Sequence, residues 1–367
     1  MLEIQTHDTL ETIGREAWSA CHPGALEDFD YLLAVERARL PGFAWMHILA
    51  QADGRPLATV PGFITDYSLD TTLNALGRRT VAAVRKLAPR AFMLKLGALG
   101  SPCTETIGLG FSPDFPTTSQ APLLNAMISA FGTEAIRAGC GLIALKDTPG
   151  PDQALWDQAA PGFQPIPGLP TAHLDIDFPD LETYLARLSP GVRRDMRRKL
   201  RVRDRLQIEV REDLAGLGDA VHALYAQTRA RSDMQFEALT PAYFTGVLAQ
   251  MPGRAFCVLY RLDGELLAAN LLLADGATLL DKFFCMDGDK GRAANLYFVS
   301  WFTNLQLCLD RGLTRYVSGQ AGYANKLRLG STLTPSAMRF HHRHPLAHRA
   351  LRWAAPLLSD DPVAEAA

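Results

Sequence analysis

Few of the marks that announce a chemistry outright are present in this chain. Its six cysteines, Cys21, Cys103, Cys140, Cys257, Cys285 and Cys308, are scattered over 367 residues. They have neither the paired spacing of a zinc site nor the density of a secreted disulfide scaffold, and they read as reduced, buried small hydrophobes. No Walker loop, no strand-linked GxGxxG and no GxSxG elbow occurs, which sets aside P-loop nucleotide hydrolysis, Rossmann-type dinucleotide binding and the serine hydrolases. Long apolar runs are missing too. Leu266–Ala274 is among the longest and is too short to span a bilayer, and no charged leader with an apolar core opens the chain. A cytoplasmic protein without a membrane span is the expectation. His341, His342, His344 and His348 crowd together in HHRHPLAHR, but without the helical His-Glu-x-x-His spacing or cysteine partners of a metal site, so they read as a basic surface patch and no metal is expected.

What is present is enough apolar content for a globular protein of two domains: 48% hydrophobic residues and a formal net charge of -2. The charge is unevenly placed. Up to Asp175 there are 12 basic and 18 acidic residues, and beyond it 25 basic and 21 acidic, so the C-terminal half is the better host for an anion.

The densest signal is LETYLARLSPGVRRDMRRKLRVRDR, residues Leu181 to Arg205, in which eight of the thirteen residues from Arg193 onward are Lys or Arg. Ser189-Pro190 reads as a helix start, with Ser capping and Pro at the first helical position. Leu181, Leu185, Leu188, Val192, Met196 and Leu200 recur at three- and four-residue intervals and predict a core-facing stripe. Arg194, Arg198, Arg201 and Arg205 fall on another face. A phosphate-facing helix and a solvated charged helix with weak surface pairs both fit this pattern.

Element signals alternate on either side of this segment. A hairpin is predicted near Met46 to Phe63, turning at Asp53-Gly54. FMLKLGALGSP reads as a strand, PLLNAMISAFGTEAIRAG as a helix closed by Gly139, and GLIALKD as a further strand. A Pro- and Gly-rich passage then leads to a boundary near Asp175. The second half repeats the plan: the strand LQIEVRED, two helices, a three-stranded meander turning at Asp263-Gly264 and Asp275-Gly276, the apolar helix NLYFVSWFTNLQLCLDRG and the strand TRYVSG. The expected division is 1–175, 176–350 and a C-terminal helix end and tail at 351–367.

This order of elements, with Tyr184-Leu185 and Leu188-Ser189 ahead of Arg193, Arg194 and Arg198 and the later run Ser318 to Gly330, resembles the tandem acetyltransferase-like fold of the Fem-type and related N-acyltransferases. The resemblance implies an α/β (α+β) chain of two GNAT-like domains, each a mixed central sheet flanked by helices. It also implies an N-acyltransferase. Two central strands, near Thr278 to Met286 and Thr314 to Ser318, would part to admit the donor, and backbone N–H groups would polarise its carbonyl. Acyl-CoA is the implied co-substrate and a small-molecule or peptide amine the acceptor, with no permanently bound cofactor. A Fem-type aminoacyltransferase drawing on aminoacyl-tRNA is the alternative, and a non-catalytic binding protein of the same fold is the third reading.

The residues that such chemistry draws on are these. Asp281 and Lys282 interrupt an apolar strand, so at least one of them needs a polar partner or a cleft. Glu237, before a helix, is a further candidate base, and Tyr323 a candidate proton donor to the leaving group. Arg194, Arg198 and Arg201, with Lys290, Gly291, Arg292 and Asn295 in the loop after Met286, are the candidate contacts to donor phosphates, because free N–H groups at a helix start attract anions. Gln320, Lys326 and Arg328 are the candidate substrate contacts.

Overall fold

The computed structural model describes residues 1–68, 93–232 and 236–358. In the first of its two units, nine strands come from the first half of the chain: β1 (Leu2–His7), β2 (Phe43–Trp45), β3 (His47–Ala52), β4 (Arg55–Val60), β5 (Gly62–Ser68), β6 (Met93–Leu99), β7 (Gly110–Phe111), β8 (Leu142–Pro149) and β9 (Gln164–Pro167). Asp53 and Gly54 both take positive φ, 49° and 76°, and close the β3–β4 hairpin. That mirror-image turn follows the right-handed twist of paired strands, which is why Asp-Gly marks it. β6 and β8 run parallel, with Leu96 to Leu99 opposite Leu142 to Leu145, so a crossover must join them. Helix Thr117–Arg137 makes it, burying Leu124, Met127 and Phe131 in a core that also contains Trp156, Ile48 and Val60.

The second unit has one seven-stranded sheet, ordered β11-β12-β13-β14-β15-β10-β16. Its strands are β10 (Thr171–Asp175), β11 (Leu206–Arg211), β12 (Ala255–Leu262), β13 (Glu265–Ala274), β14 (Thr278–Met286), β15 (Arg315–Gly319) and β16 (Thr332–Thr334). Asp263 and Gly264, again with positive φ, turn β12 into β13, and the Asp275 carboxylate accepts from the N–H groups of Ala277 and Thr278 to turn β13 into β14. β14 and β15 are parallel and are joined by helix Leu296–Arg311, the same strand–helix–strand crossover as in the first unit. On the face of that helix the core holds Tyr260, Leu272, Leu279, Val299, Phe302 and Tyr316. On the other face Phe283 meets Tyr225 and Phe244, from helices Gly218–Ala230 and Pro241–Gln250.

One strand remains, β17 (Ser336–His342), and it lies in the first unit's sheet, ordered β2-β5-β6-β8-β17-β9. The chain thus exchanges strands: β10 follows β9 but sits between β15 and β16, and β17 follows β16 but sits between β8 and β9. The two units therefore divide differently from the 1–175 and 176–350 reading. Thr171–Asp175 belongs to the second unit, and the first takes back Phe236–Ala238 and the chain from Pro335 through helix Pro345–Leu358. The reason is physical: alternation of apolar and polar residues identifies a strand but not the sheet that it joins. The tail reading reaches past residue 358 and there lies outside the described residues.

Candidate active site

Hydrogen bonding between β14 and β15 covers three residue pairs, Thr278–Arg315, Leu279–Tyr316 and Leu280–Val317. Both strands then continue without pairing to each other, β14 to Met286 and β15 to Gly319. The next residue on β14 is Asp281. Opposite it, the β13 ladder slips by one residue: Leu272 faces Asp281, Leu271 faces Phe283, and Lys282 is left over as a bulge. Bulges bend a strand and leave backbone groups out of the ladder, so the strands part where a charged side chain sits.

Asp281 Oδ2 accepts three hydrogen bonds, from Tyr316 Oη at 2.9 Å, Asn304 Nδ2 at 3.1 Å and Asn270 Nδ2 at 3.3 Å. Asn304 also bonds Tyr316 Oη at 3.0 Å. Asn270, Asn304 and Tyr316 are buried, while Asp281 keeps partial solvent access. Burial pushes the Asp281 carboxyl up to about 6, against the pull of the Tyr316 and Asn270 hydrogen bonds and the positive charge of Lys326. The result is a carboxylate that is ionised at neutral pH yet more basic than an exposed one.

Lys326 is buried in helix Tyr323–Arg328, and its ammonium donates to the carbonyls of Ser318 at 2.6 Å, Gly319 at 2.9 Å and Gln320 at 3.0 Å. Those carbonyls turn inward because Gly319, Ala321 and Gly322 all take positive φ. For Ala321 that conformation costs about 1–2 kcal/mol, an amount that one charge-assisted hydrogen bond can offset. Lys326 and Gln320, expected as substrate contacts, thus build the loop at the end of β15. Tyr323 is buried at the start of the same helix.

Arg328 turns to Asp195, at 2.8 Å, and so do Arg198 at 2.6 Å and Lys199 at 3.1 Å. Three cations hold this carboxyl far below the ordinary carboxylate range, with Arg198 the largest influence. The basic segment is an α-helix over Pro190–Lys199 continued by a 3-10 helix over Leu200–Arg205, and Ser189 Oγ accepts from Val192 N at the start. Leu185, Leu188 and Met196 are buried in the second unit's core, whereas Arg194, Arg198, Arg201 and Arg205 are exposed. Arg198 and Arg205 are paired with Asp195 and Asp263; Arg194 and Arg201 have no carboxylate partner among the described residues. Tyr184 ties this segment to the sheet: Trp301 Nε1 donates to Tyr184 Oη at 3.1 Å, and Tyr184 Oη donates to the Leu329 carbonyl at 2.7 Å.

The loop after β14 satisfies its own helix start. Asp287 Oδ1 accepts from the N–H groups of Asp289 at 3.1 Å and Lys290 at 2.8 Å, so a carboxylate fills the helix start where a phosphate would sit. The N–H groups of Gly291, Ala293, Ala294 and Asn295 bond within the turn. Lys290 Nζ lies 2.7 Å from both Glu265 oxygens, and Arg292 is 3.5 Å from Asp289. Glu237 belongs to the first unit's Phe236–Ala238 segment, and Asp281, Asn270, Asn304 and Tyr316 belong to the second unit. Sequence reasoning passed over Asn270, Asn304 and Tyr316. The signal was there for Asn270, a lone amide in the apolar run LLAANLLL, and less plainly for Asn304, two residues before Gln306 in FTNLQL. Among the described residues no helix is long and apolar enough to cross a membrane, and no cluster of His, Cys, Asp or Glu is poised to hold a metal.

Comparison with known proteins agrees with this architecture. Residues 191–327 match the family described as "Acetyltransferase (GNAT) domain". The chain is 24% identical over 332 residues to a putative 8-amino-7-oxononanoate synthase 2 of Mycobacterium tuberculosis, an alignment that takes in 88% of this chain and 43% of that protein. It thus spans less than half the length of that relative. Among solved structures it is similar to FemX, with a TM-score of 0.59 at 15% identity over 95% of this chain and 100% of the other. It is also similar to a tandem GNAT protein from the clavulanic acid biosynthesis pathway, with a TM-score of 0.55 at 14% identity over 94% and 99%. The L-PGS of Bacillus licheniformis gives 0.54 at 12% identity over 96% and 98%. Residues 191–327 of the second unit thus match a GNAT acetyltransferase domain, and the chain as a whole shares the fold of these tandem GNAT-type structures.

Proposed function

We propose that the second unit transfers an acyl group from an activated donor to an amine, with Asp281 as the proton acceptor. The observation that carries this reading is the carboxyl raised to about 6 at the residue where β14 and β15 cease to pair. The acyl carbonyl enters between the parted strands, where a backbone N–H of β14 would polarise it, a donor fixed in place before charge develops. The amine nitrogen bonds to the carbonyl carbon, its proton passes to Asp281, and the bond to the leaving group breaks. Lys326 fixes the β15 loop beside this path, and Tyr323 protonates the leaving group.

For the donor, acyl-CoA is the first reading, because it is the usual co-substrate of GNAT-type acyltransferases. Its pyrophosphate would have to displace Asp287 from the N–H groups of Asp289 and Lys290 or bind elsewhere. That self-filled loop, together with the unpaired guanidiniums of Arg194 and Arg201, favours a second reading in which the donor is an aminoacyl-tRNA held by its phosphates. The acceptor is the amine of a small molecule or peptide, and a cytoplasmic site of action follows from either donor.

Thermal unfolding with acetyl-CoA and with charged tRNA, followed by mass spectrometry on a panel of amines, separates the two. The donor that raises Tm and loses its acyl group is the substrate. Asp281→Asn should keep the Tm shift and lose turnover. No shift with either donor, or full turnover by the variant, would sink the assignment.

A further inference from the structure

The histidine-rich run is not part of the site described above, yet it lines a cleft of roughly 550 Å³ in the first unit, at the start of helix Pro345–Leu358. That is within the range of small-molecule sites. Arg343, Arg349 and Arg352 border it, with His341, His348 and Trp353, and no carboxylate is among the lining residues. None of the three guanidiniums has an acidic partner among the described residues. Arg352 Nε is oriented by Gln164 Oε1 at 3.2 Å, so its terminal nitrogens keep their donors. His341 is held by the Gly162 carbonyl at 3.0 Å and packs on His348 at 4.6 Å between ring centres. His348 Nδ1 accepts from His342 N at 3.3 Å, which puts its proton on Nε2. The guanidiniums and His348 Nε2 therefore present donors, while His341, which donates from Nδ1, keeps an acceptor at Nε2.

Three exposed cations gathered without an acidic partner among the described residues repel one another, and an anion placed among them removes that repulsion. Planar guanidiniums pair best with phosphate, two parallel hydrogen bonds to each oxygen pair. At the rim Trp353 is 81% exposed, and Leu346, seven residues earlier and on the same helical face, is 73% exposed. The cleft is thus bordered by exposed guanidiniums, with the Trp353 ring beside them. We propose that it binds a phosphate ester, with the anionic group among Arg343, Arg349 and Arg352 and the organic part against Trp353. The ester is either a free metabolite or the headgroup of an anionic lipid, for which Leu346 and Trp353 would enter the interface. This site does not depend on the acyl-transfer reading, because all its residues lie in the first unit.

The test uses the whole chain. Calorimetry with inorganic pyrophosphate and with glycerol 3-phosphate at low salt should show binding that weakens at least roughly ten-fold in the Arg349→Ala/Arg352→Ala double variant, in line with the loss of a charge-assisted contact. Unchanged Tm verifies that the variant is folded, and Arg349→Gln alone serves if it is not. In parallel, the protein is sedimented with vesicles of phosphatidylcholine with and without phosphatidylglycerol. Retention on the anionic vesicles alone, lost in Trp353→Ala, assigns the lipid source; binding of the soluble probes alone assigns the free ester. Absence of binding in both arms, or binding equal in wild type and double variant, overturns the proposal.

Discussion

At the scale of single residues the second unit depends on two charges, Lys326 fully buried and Asp281 partly so, that are satisfied in different ways. Lys326 has all three ammonium protons on backbone carbonyls, so replacing it with Met leaves those carbonyls unpaired. That should destabilise the fold by about 2–4 kcal/mol, read as a lower denaturant midpoint, and turnover should fall with it. Asp281 is held by donors at one oxygen only and keeps solvent access. Asp281→Asn should lower kcat by about 10²–10⁴ with little change in KM. For the wild type, kcat should rise with pH through about 6 as the carboxyl ionises. The same group gives a sign for stability. Its folded pKa lies above its unfolded one, so its stabilising contribution is complete below about pH 4 and is lost as pH rises through about 6. Denaturation midpoints between pH 4 and 7 should fall along that course in the wild type, and the variant should lack the step.

At the scale of elements, the basic helix shows how one segment divides its tasks between two faces. Met196 points into the core of the second unit, and Met196→Ala should cost about 2–5 kcal/mol, measured by thermal or chemical unfolding. Arg194 and Arg201 are exposed and lack carboxylate partners, so replacing both with Ala should leave Tm within about 1 °C while weakening donor binding and flattening its salt dependence. Binding that is unchanged at 50 and 200 mM salt would remove this helix from the donor site. The division was legible in the sequence, because a 3.6-residue period separates Leu185, Leu188 and Met196 from the arginines. The hairpins were legible for an equally local reason, Asp-Gly at each turn. The partnerships of the charges were not. Nothing in the local pattern says that Asp195 gathers Arg198, Lys199 and Arg328, or that Asp287 fills the helix start where a phosphate was expected. Such pairings are long-range, or set by a turn whose geometry composition does not encode.

On the scale of the whole molecule, the strand exchange separates sequence halves from structural units. Residues 171–334 contain all seven strands of the second sheet. Residues 1–170 lack β17, the strand between β8 and β9. Expressed alone, 171–334 should give a cooperative unfolding transition, whereas 1–170 should be insoluble and recover only when 335–358 is supplied with it; gel filtration and circular dichroism distinguish these outcomes. Solubility of 1–170 alone would show that β8 and β9 can close without their partner. An open sheet edge between apolar strands is a template for pairing with other chains.

The same exchange sets a timetable. On the ribosome β8 emerges nearly two hundred residues before β17, the strand that covers its open edge. At roughly 5–20 residues per second, the first sheet waits on the order of ten to forty seconds for its last member, while the second sheet, complete at β16, has every strand it needs before the first does. Synthesis begins with the first unit, but its folding finishes last.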